Sequence, residues 1–262
     1  MSIGSLRLVA GAALAACLLA WPAAAQVTAS IDPDSTACTW TFTKSSGAAQ
    51  IIYCVNAHGN VVQFTAPAGV EHIRGGAAYT EGYALCSSTF GVHGYDFADA
   101  GESPWGASGV VSPATSSGIK IFRETADGRL RLEHAFKVDV AEGDVTITVK
   151  IINLTGEAIA GVRYKRGVDI DPAGNTSPFW QRTQDEVSAV DNATLRGLSL
   201  NAVSFTTAHG TSIAVNPPTL NCTLGATATN GSVGNRAAEI AYDLGTIGPL
   251  KSKTIKFVYR RQ

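Results

Sequence analysis

The chain has 262 residues, of which 45% are hydrophobic and 16% charged, with 20 basic and 21 acidic side chains and a net charge of −1. That balance of apolar and charged residues excludes a disordered chain, and the length suits one large β-sandwich or two smaller units with a sizeable core. Without a basic excess or a basic amphipathic helix, the chain lacks the electrostatic footprint of a nucleic-acid partner and any obvious hold on a membrane surface.

Residues 1–25 read as an export signal, with Arg7 as the positive start, Leu8 to Leu19 as the apolar stretch and Ala23-Ala24-Ala25 as a small-residue cleavage site. The mature protein is therefore expected to begin at Gln26, to be secreted or periplasmic, and to carry 19 basic against 21 acidic residues once Arg7 is removed, a net charge of about −2. Leu14-Ala15-Ala16-Cys17 has the form of a lipobox. The apolar run, however, continues through Leu18, Leu19, Ala20 and Trp21 to a separate cleavage site, which favours simple release over a lipid anchor. No later stretch is long and charge-free enough to be a transmembrane segment. Cleavage leaves Cys38, Cys54, Cys86 and Cys222 in a compartment where disulfides persist.

In chain order the dominant period is two. Thr39 to Thr43 and Gln50 to Val55 predict a hairpin centred near Ser46, with Cys38 opposite Cys54, Trp40 opposite Ile52 and Phe42 opposite Gln50. That pairing leaves Cys86 for Cys222, a bridge between the N-terminal and C-terminal regions. From Asp99 to Gly118 alternation vanishes among Gly, Ser, Pro and Ala, which marks either a linker that subdivides the chain or a long surface loop. Ala126-Asp127-Gly128 predicts a tight turn between Ile119–Thr125 and the strand from Leu130, on which Leu130, Leu132, His134, Phe136 and Val138 share one face. Val145, Ile147, Val149 and Ile151 alternate with polar residues in the next strand, and Ile255, Phe257 and Tyr259 do so in a closing one. No sustained 3.6-residue period follows the signal segment. The predicted fold is all-β, an antiparallel β-sandwich over residues 26–262, disulfide-linked and with few or no helices.

Two constellations carry the residue types of a site. His93, Tyr95, Asp96, Asp99, Glu102 and Trp105 gather an imidazole, carboxylates and aromatic rings around glycines. Aromatic faces stack on pyranose rings and carboxylates accept hydroxyl protons, so Tyr95 and Trp105 are candidate ligand platforms and His93, Asp96, Asp99 and Glu102 candidate catalytic groups. A solvated loop whose aromatics cover the adjoining sheet is the plainer account. Asp169-x-Asp171-x-x-Gly174 echoes the start of an oxygen-ligand calcium loop, which makes Asp169 and Asp171 candidate calcium ligands. Ala173 and Trp180 break the EF-hand pattern, and a charge ladder with Arg163 and Lys165 on one strand face and Arg166 on the other competes with the metal reading. His134 is expected as a satisfied core histidine, and His58 and His209 in turns. No G-x-S-x-G elbow, phosphate loop, dinucleotide fingerprint or C-x-x-C pair occurs. Sequons at Asn153, Asn175, Asn192, Asn221 and Asn230 matter only in a glycosylating host.

Asn153-Leu154-Thr155-Gly156, the strand Val162-Arg163-Tyr164-Lys165-Arg166 and Asp169-Ile170-Asp171 resemble a pattern of uncharacterised secreted bacterial β-sandwich proteins. Gly59-Asn60-Val61, Glu71-His72-Ile73 and Glu81 to Cys86 are loosely similar to the same group. The resemblance implies the fold and no activity. The sequence thus points first to an exported, non-catalytic β-sandwich with a binding or structural role in the envelope or matrix, partnered by a glycan or an envelope protein. The alternative is a carbohydrate-active hydrolase or lyase with its site in residues 93–105, which requires those side chains to converge in one cleft.

Overall fold

The computed structural model describes residues 37–46, 49–73, 81–98, 100–139, 141–215 and 219–262. Residues 1–25, with the expected export signal and lipobox, and Asp99 lie outside the described residues. The N-terminal strands are β1 (Trp40–Ser46), β2 (Ala49–Val55), β3 (Val61–Thr65), β4 (Glu81–Ser87), β5 (Gly91–Phe97) and β6 (Gly101–Glu102). The middle of the chain supplies β7 (Trp105–Thr115), β8 (Gly118–Thr125), β9 (Leu130–Asp139), β10 (Asp144–Asn153) and β11 (Ile159–Asp169), followed by a short 3-10 turn at Pro172–Gly174. The remaining strands are β12 (Phe179–Arg182), β13 (Glu186–Val190), β14 (Gly197–Ala202), β15 (Ala208–Val215), β16 (Arg236–Ile247) and β17 (Ser252–Arg261). No α-helix occurs among the described residues.

Two antiparallel sheets stack as a sandwich, one of eight strands in the order β12-β13-β14-β17-β10-β9-β8-β7 and one of six in the order β15-β16-β11-β4-β5-β6, with β1-β2-β3 as a third, smaller sheet. The alternation read from sequence builds the core between them. Val145, Ile147, Val149 and Ile151 of β10 and Ile255, Phe257 and Tyr259 of β17 are fully buried, as the inward half of a period-two strand must be. The strand that closes the sequence is central in space, because β17 pairs with both β10 and β14. Gly128, at φ 67°, donates its N–H to Thr125 and closes the Asp-Gly hairpin between β8 and β9. Asn153 accounts for its own motif: its amide donates to Glu157, Ile247 and Gly248 carbonyls at 2.6, 3.1 and 3.1 Å and its oxygen accepts the Thr155 N–H, pinning the β10–β11 turn to the end of β16.

Three local expectations are corrected. The β1–β2 hairpin pairs Trp40 with Val55, Thr41 with Cys54 and Phe42 with Tyr53 rather than in the expected register. The observed register stacks the Phe42 and Tyr53 rings at 4.8 Å and buries both, whereas the expected one sets Phe42 against Gln50. Cys38 still reaches Cys54, with a Cα separation of 5.7 Å, because it precedes β1 and approaches diagonally. The featureless stretch after Asp99 contains β7, an exposed edge strand whose ladder with β8 shifts register three times; the bulges and the exposure on both faces erase its alternation. His209 belongs to strand β15 and not to a turn.

The β11 motif reads correctly by face but not by environment. Arg166, on the inner face, and Lys165, on the outer, are both fully buried. Arg166 donates to Glu81, which also accepts from the Tyr259 hydroxyl at 2.6 Å and the Val61 N–H at 2.8 Å, so one carboxylate joins the two large sheets and the small one. His134 is a core histidine as expected but only half satisfied: it is fully buried, with its ring 4.7 Å from Tyr83 and Nε2 3.3 Å from the Tyr164 hydroxyl, while its Nδ1 has no hydrogen-bond partner. Burial, reinforced by the Arg166 and Arg123 charges, holds it well below the ordinary imidazole range and therefore neutral.

Candidate functional site

Between β6 and β7 the chain crosses from the edge of the six-stranded sheet to the edge of the eight-stranded one, and there the first sequence constellation divides. Asp96 of β5 and Glu102 of β6 meet the guanidinium of Arg123 of β8, which donates to both carboxylates. The Asn60 amide donates to Asp96 at 2.6 Å, and His58 Nδ1 lies 3.1 Å from Asp96 and 3.5 Å from Glu102. Trp105 covers this cluster. Its ring lies 4.6 Å from the Arg123 guanidinium and edge-on to Tyr83 at 5.6 Å, and a Cβ on Gly94 would stand 2.8 Å from it, so the glycine makes the approach feasible.

Tyr95 points to the opposite face, where it packs with Ala84, Phe97 and the Cys86 and Cys222 side chains. His93 is also elsewhere, bonded to Ser87 and Asp127. Tyr95 and Trp105 therefore do not form a single stacking platform, and His93 does not act with Asp96. The sequence carries no signal for His58 or Arg123 as partners of the acids, because His58 comes from the turn between β2 and β3 and Arg123 from β8, both distant in sequence.

The cluster has the electrostatics of a neutralised ion network. Asp96, Glu102 and Arg123 are all nearly inaccessible to solvent. Burial raises the Glu102 pKa and the Asp96 charge adds to this, against the pull of Arg123. Burial lowers the His58 pKa, but its hydrogen bond to Asp96 and the charges of Asp96 and Glu102 outweigh that and leave it raised. His58, Asp96 and Glu102 bring ligand atoms within 4.8 Å of one another, the composition of a metal site. Arg123 already supplies the cation, and a divalent ion beside a guanidinium would be repelled. Asp169 and Asp171, at the end of β11 and the start of the 3-10 turn, are buried, and among the described residues they do not belong to a group of three such side chains within metal-ligand reach.

A pH dependence follows. A His58 pKa raised on folding adds stability that is complete below the ordinary histidine pKa of about 6.5 and is lost as pH rises through the folded value. Thermal melts from pH 6 upward are expected to show a decline in wild type that is smaller in His58→Gln; identical pH profiles would remove His58 from the charge network.

The outer face of the six-stranded sheet carries a different kind of surface. The segment 219–225 is held across it by the Cys86–Cys222 disulfide and by the buried Lys165 ammonium. That ammonium donates to the Thr219 carbonyl at 2.6 Å, the Thr223 carbonyl at 3.1 Å and Glu239 at 3.0 Å. Glu239 in turn accepts the Gly225 N–H at 2.7 Å. The sheet and this strap border two adjoining open cavities of about 360 and 310 Å³ that share Arg163, Cys222 and Thr223. The Arg163 and Asp243 side chains are 58% and 49% exposed and stand 3.8 Å apart, a loose pair with donors and acceptors turned to solvent. His209 is fixed at the rim between the Thr207 carbonyl and Asp185, each at 2.8 Å. No sequence signal marks this groove beyond the pairing of Cys86 with Cys222, since its walls come from β4, β5, β11, β15, β16 and a segment without periodicity.

No family model and no curated protein matches the chain. Among solved structures, a bacterial glucoamylase complexed with acarbose aligns with a TM-score of 0.59 at 11% identity, covering 90% of this chain and 34% of the glucoamylase. Heparan sulfate lyase from Pedobacter heparinus aligns at 0.52 and 8% identity over 87% of this chain and 35% of the lyase. A candidate aldose 1-epimerase from Escherichia coli K12 aligns at 0.51 and 11% identity over 85% of this chain and 99% of its own length. The chain spans about a third of the glucoamylase and of the lyase, and at these identities the likeness is one of fold: all three share its stacked antiparallel β-sandwich.

Proposed function

We propose that this is an exported carbohydrate-binding protein whose recognition surface is the groove on the outer face of the six-stranded sheet. The observation that carries the reading is the strap 219–225. A disulfide and a buried ammonium–carboxylate pair hold it in place, and it frames two joined cavities around the half-exposed Arg163 and Asp243. A saccharide needs such a preformed concave surface with planar polar forks for its hydroxyls beside apolar patches, here Leu224 and the disulfide. The fold shared with proteins described as a glucoamylase, a heparan sulfate lyase and an aldose epimerase supports a carbohydrate ligand by analogy. The disulfides and the signal-like first 25 residues support export.

Glycoside cleavage by Asp96 and Glu102 is not part of this reading, because both carboxylates are engaged by Arg123 beneath Trp105 with no room for a sugar ring. A glycan-array screen of the mature chain tests the proposal. At least one glycan class is expected to bind, and Arg163→Ala is expected to weaken it about tenfold or more, the worth of a charged hydrogen bond. Binding that survives both Arg163→Ala and Asp243→Asn, or no binding at all, would overturn it.

A further inference from the structure

Ser87, His93 and Asp127 lie in the order and at the distances of a nucleophile, a base and an orienting carboxylate. Ser87 Oγ is 2.8 Å from His93 Nε2, and His93 Nδ1 is 2.9 Å from Asp127 Oδ2. A carboxylate only accepts, so Nδ1 carries the imidazole proton in this contact and the Nε2 lone pair faces the serine hydroxyl. The three residues come from two sheets. Ser87 ends β4 and His93 follows across the hairpin in β5, while Asp127 stands at the tip of the β8–β9 hairpin.

Each member is fixed by further bonds. The Phe90 N–H donates to Ser87 Oγ at 3.1 Å and sets its rotamer. Asp127 Oδ1 accepts from the Thr125 hydroxyl at 2.5 Å and the Arg129 N–H at 3.0 Å. Partial burial pushes the Asp127 pKa up, but these bonds and His93 outweigh it and keep the carboxyl below its ordinary value, hence ionised. The Phe90 ring lies edge-on to His93 at 5.8 Å.

Geometry of this kind also serves as a plain tie between two hairpins, and labelling of the serine decides between the two. Ser87 and His93 are buried, while Cys86, Ser87, Ser88, Gly91, Val92 and Arg163 line the cavity of about 310 Å³ that adjoins the groove, which gives an ester a place to lodge beside the strand end that carries Ser87. Phe90 and Val92 are exposed beside it and give the hairpin tip an apolar flank. We propose that Ser87, His93 and Asp127 form an acyl-transfer centre that hydrolyses esters of a small acyl group on a carbohydrate hydroxyl. The carbohydrate half of this assignment rests on the recognition surface proposed above, and the serine chemistry does not.

In the reaction, a bond forms from Ser87 Oγ to the ester carbonyl carbon as its proton passes to His93 Nε2. The bond from that carbon to the sugar oxygen then breaks, and the leaving alcohol takes the proton from Nε2. Water adds to the acyl-serine by the same route. It releases the carboxylic acid and restores the Ser87 hydroxyl.

The test uses the mature chain and a fluorophosphonate, which modifies only an activated serine, read by intact mass and peptide mapping. One adduct per chain on Ser87 is expected, absent in Ser87→Ala and formed about tenfold or more slowly in Asp127→Asn, where the imidazole loses its oriented tautomer. No adduct in wild type, or an adduct that survives Ser87→Ala, would overturn the centre. Release of acetate is then measured from p-nitrophenyl acetate and from an O-acetylated oligosaccharide. Turnover of both supports the full assignment. Turnover of the nitrophenyl ester alone would overturn the carbohydrate half, and glycan binding by unlabelled Ser87→Ala would show independently that the recognition surface stands.

Discussion

Replacing Cys86 and Cys222 together by alanine is expected to cost about 5 kcal/mol of stability, against about 3 kcal/mol for the Cys38 and Cys54 pair, on the chain-entropy account of a crosslink. The difference comes from loop length: the first bridge spans 136 residues of sequence and the second 16, so the first withdraws far more freedom from the unfolded chain. Urea unfolding of the two double variants measures it. The same change unpins one end of the strap 219–225 and leaves Lys165 as its chief remaining anchor, so the groove should loosen and ligand affinity should fall in the Cys86/Cys222 variant alone. Equal losses from both pairs would show that the denatured state is already compact enough for loop length not to matter.

Arg166→Met is expected to cost about 3–5 kcal/mol, the penalty for removing one partner of a buried charge pair. Glu81 and Arg166 are fully buried, and Arg166 also donates to the Gly59 carbonyl at 3.0 Å, so its loss strands both a carboxylate and a carbonyl. Adding Glu81→Gln should recover part of the loss, because the stranded charge goes, although the single amide oxygen can serve only one of the Tyr259 and Val61 donors, which bond different carboxylate oxygens. Chemical denaturation of the single and double variants reads this out, with Arg163→Ala as the exposed comparison, expected within about 1 kcal/mol of wild type. A loss from Arg166→Met no greater than that from Arg163→Ala would remove the Glu81–Arg166 pair from the account of how the sheets are joined.

The parts of the fold that could be read from sequence are those where one strand face is buried and the other wet. β8, β9, β10 and β17 follow this rule, and the Asp-Gly turn places β8 and β9 beside each other. The rule falls silent at β7, which has solvent on both faces, and it leaves the β1–β2 register undetermined by three residues until the Phe42–Tyr53 stack is known. Buried charge was the other blind spot. Val-Arg-Tyr-Lys-Arg looks like a solvated ladder, because nothing local shows that Glu81 and Glu239 wait on the neighbouring strands to receive Arg166 and Lys165.

The same limit governed the candidate site. Asp96, Glu102 and Trp105 do come together, but Arg123, which pairs with both acids, and His58 beside them lie outside the segment 93–105. His93 was singled out for its neighbours in sequence and acquires its partners from Ser87 and Asp127 instead.

Amide hydrogen exchange of residues 26–262, with and without a glycan selected from the array, tests the groove most directly. Ligand should slow exchange in residues 219–225 and 208–210 and leave residues 102–105 unchanged, since the strap and β15 line the groove and Trp105 lies on the other side of the sheet. Protection centred on residues 102–105, with the strap unaffected, would contradict the account and place the ligand at the Asp96–Glu102 cluster.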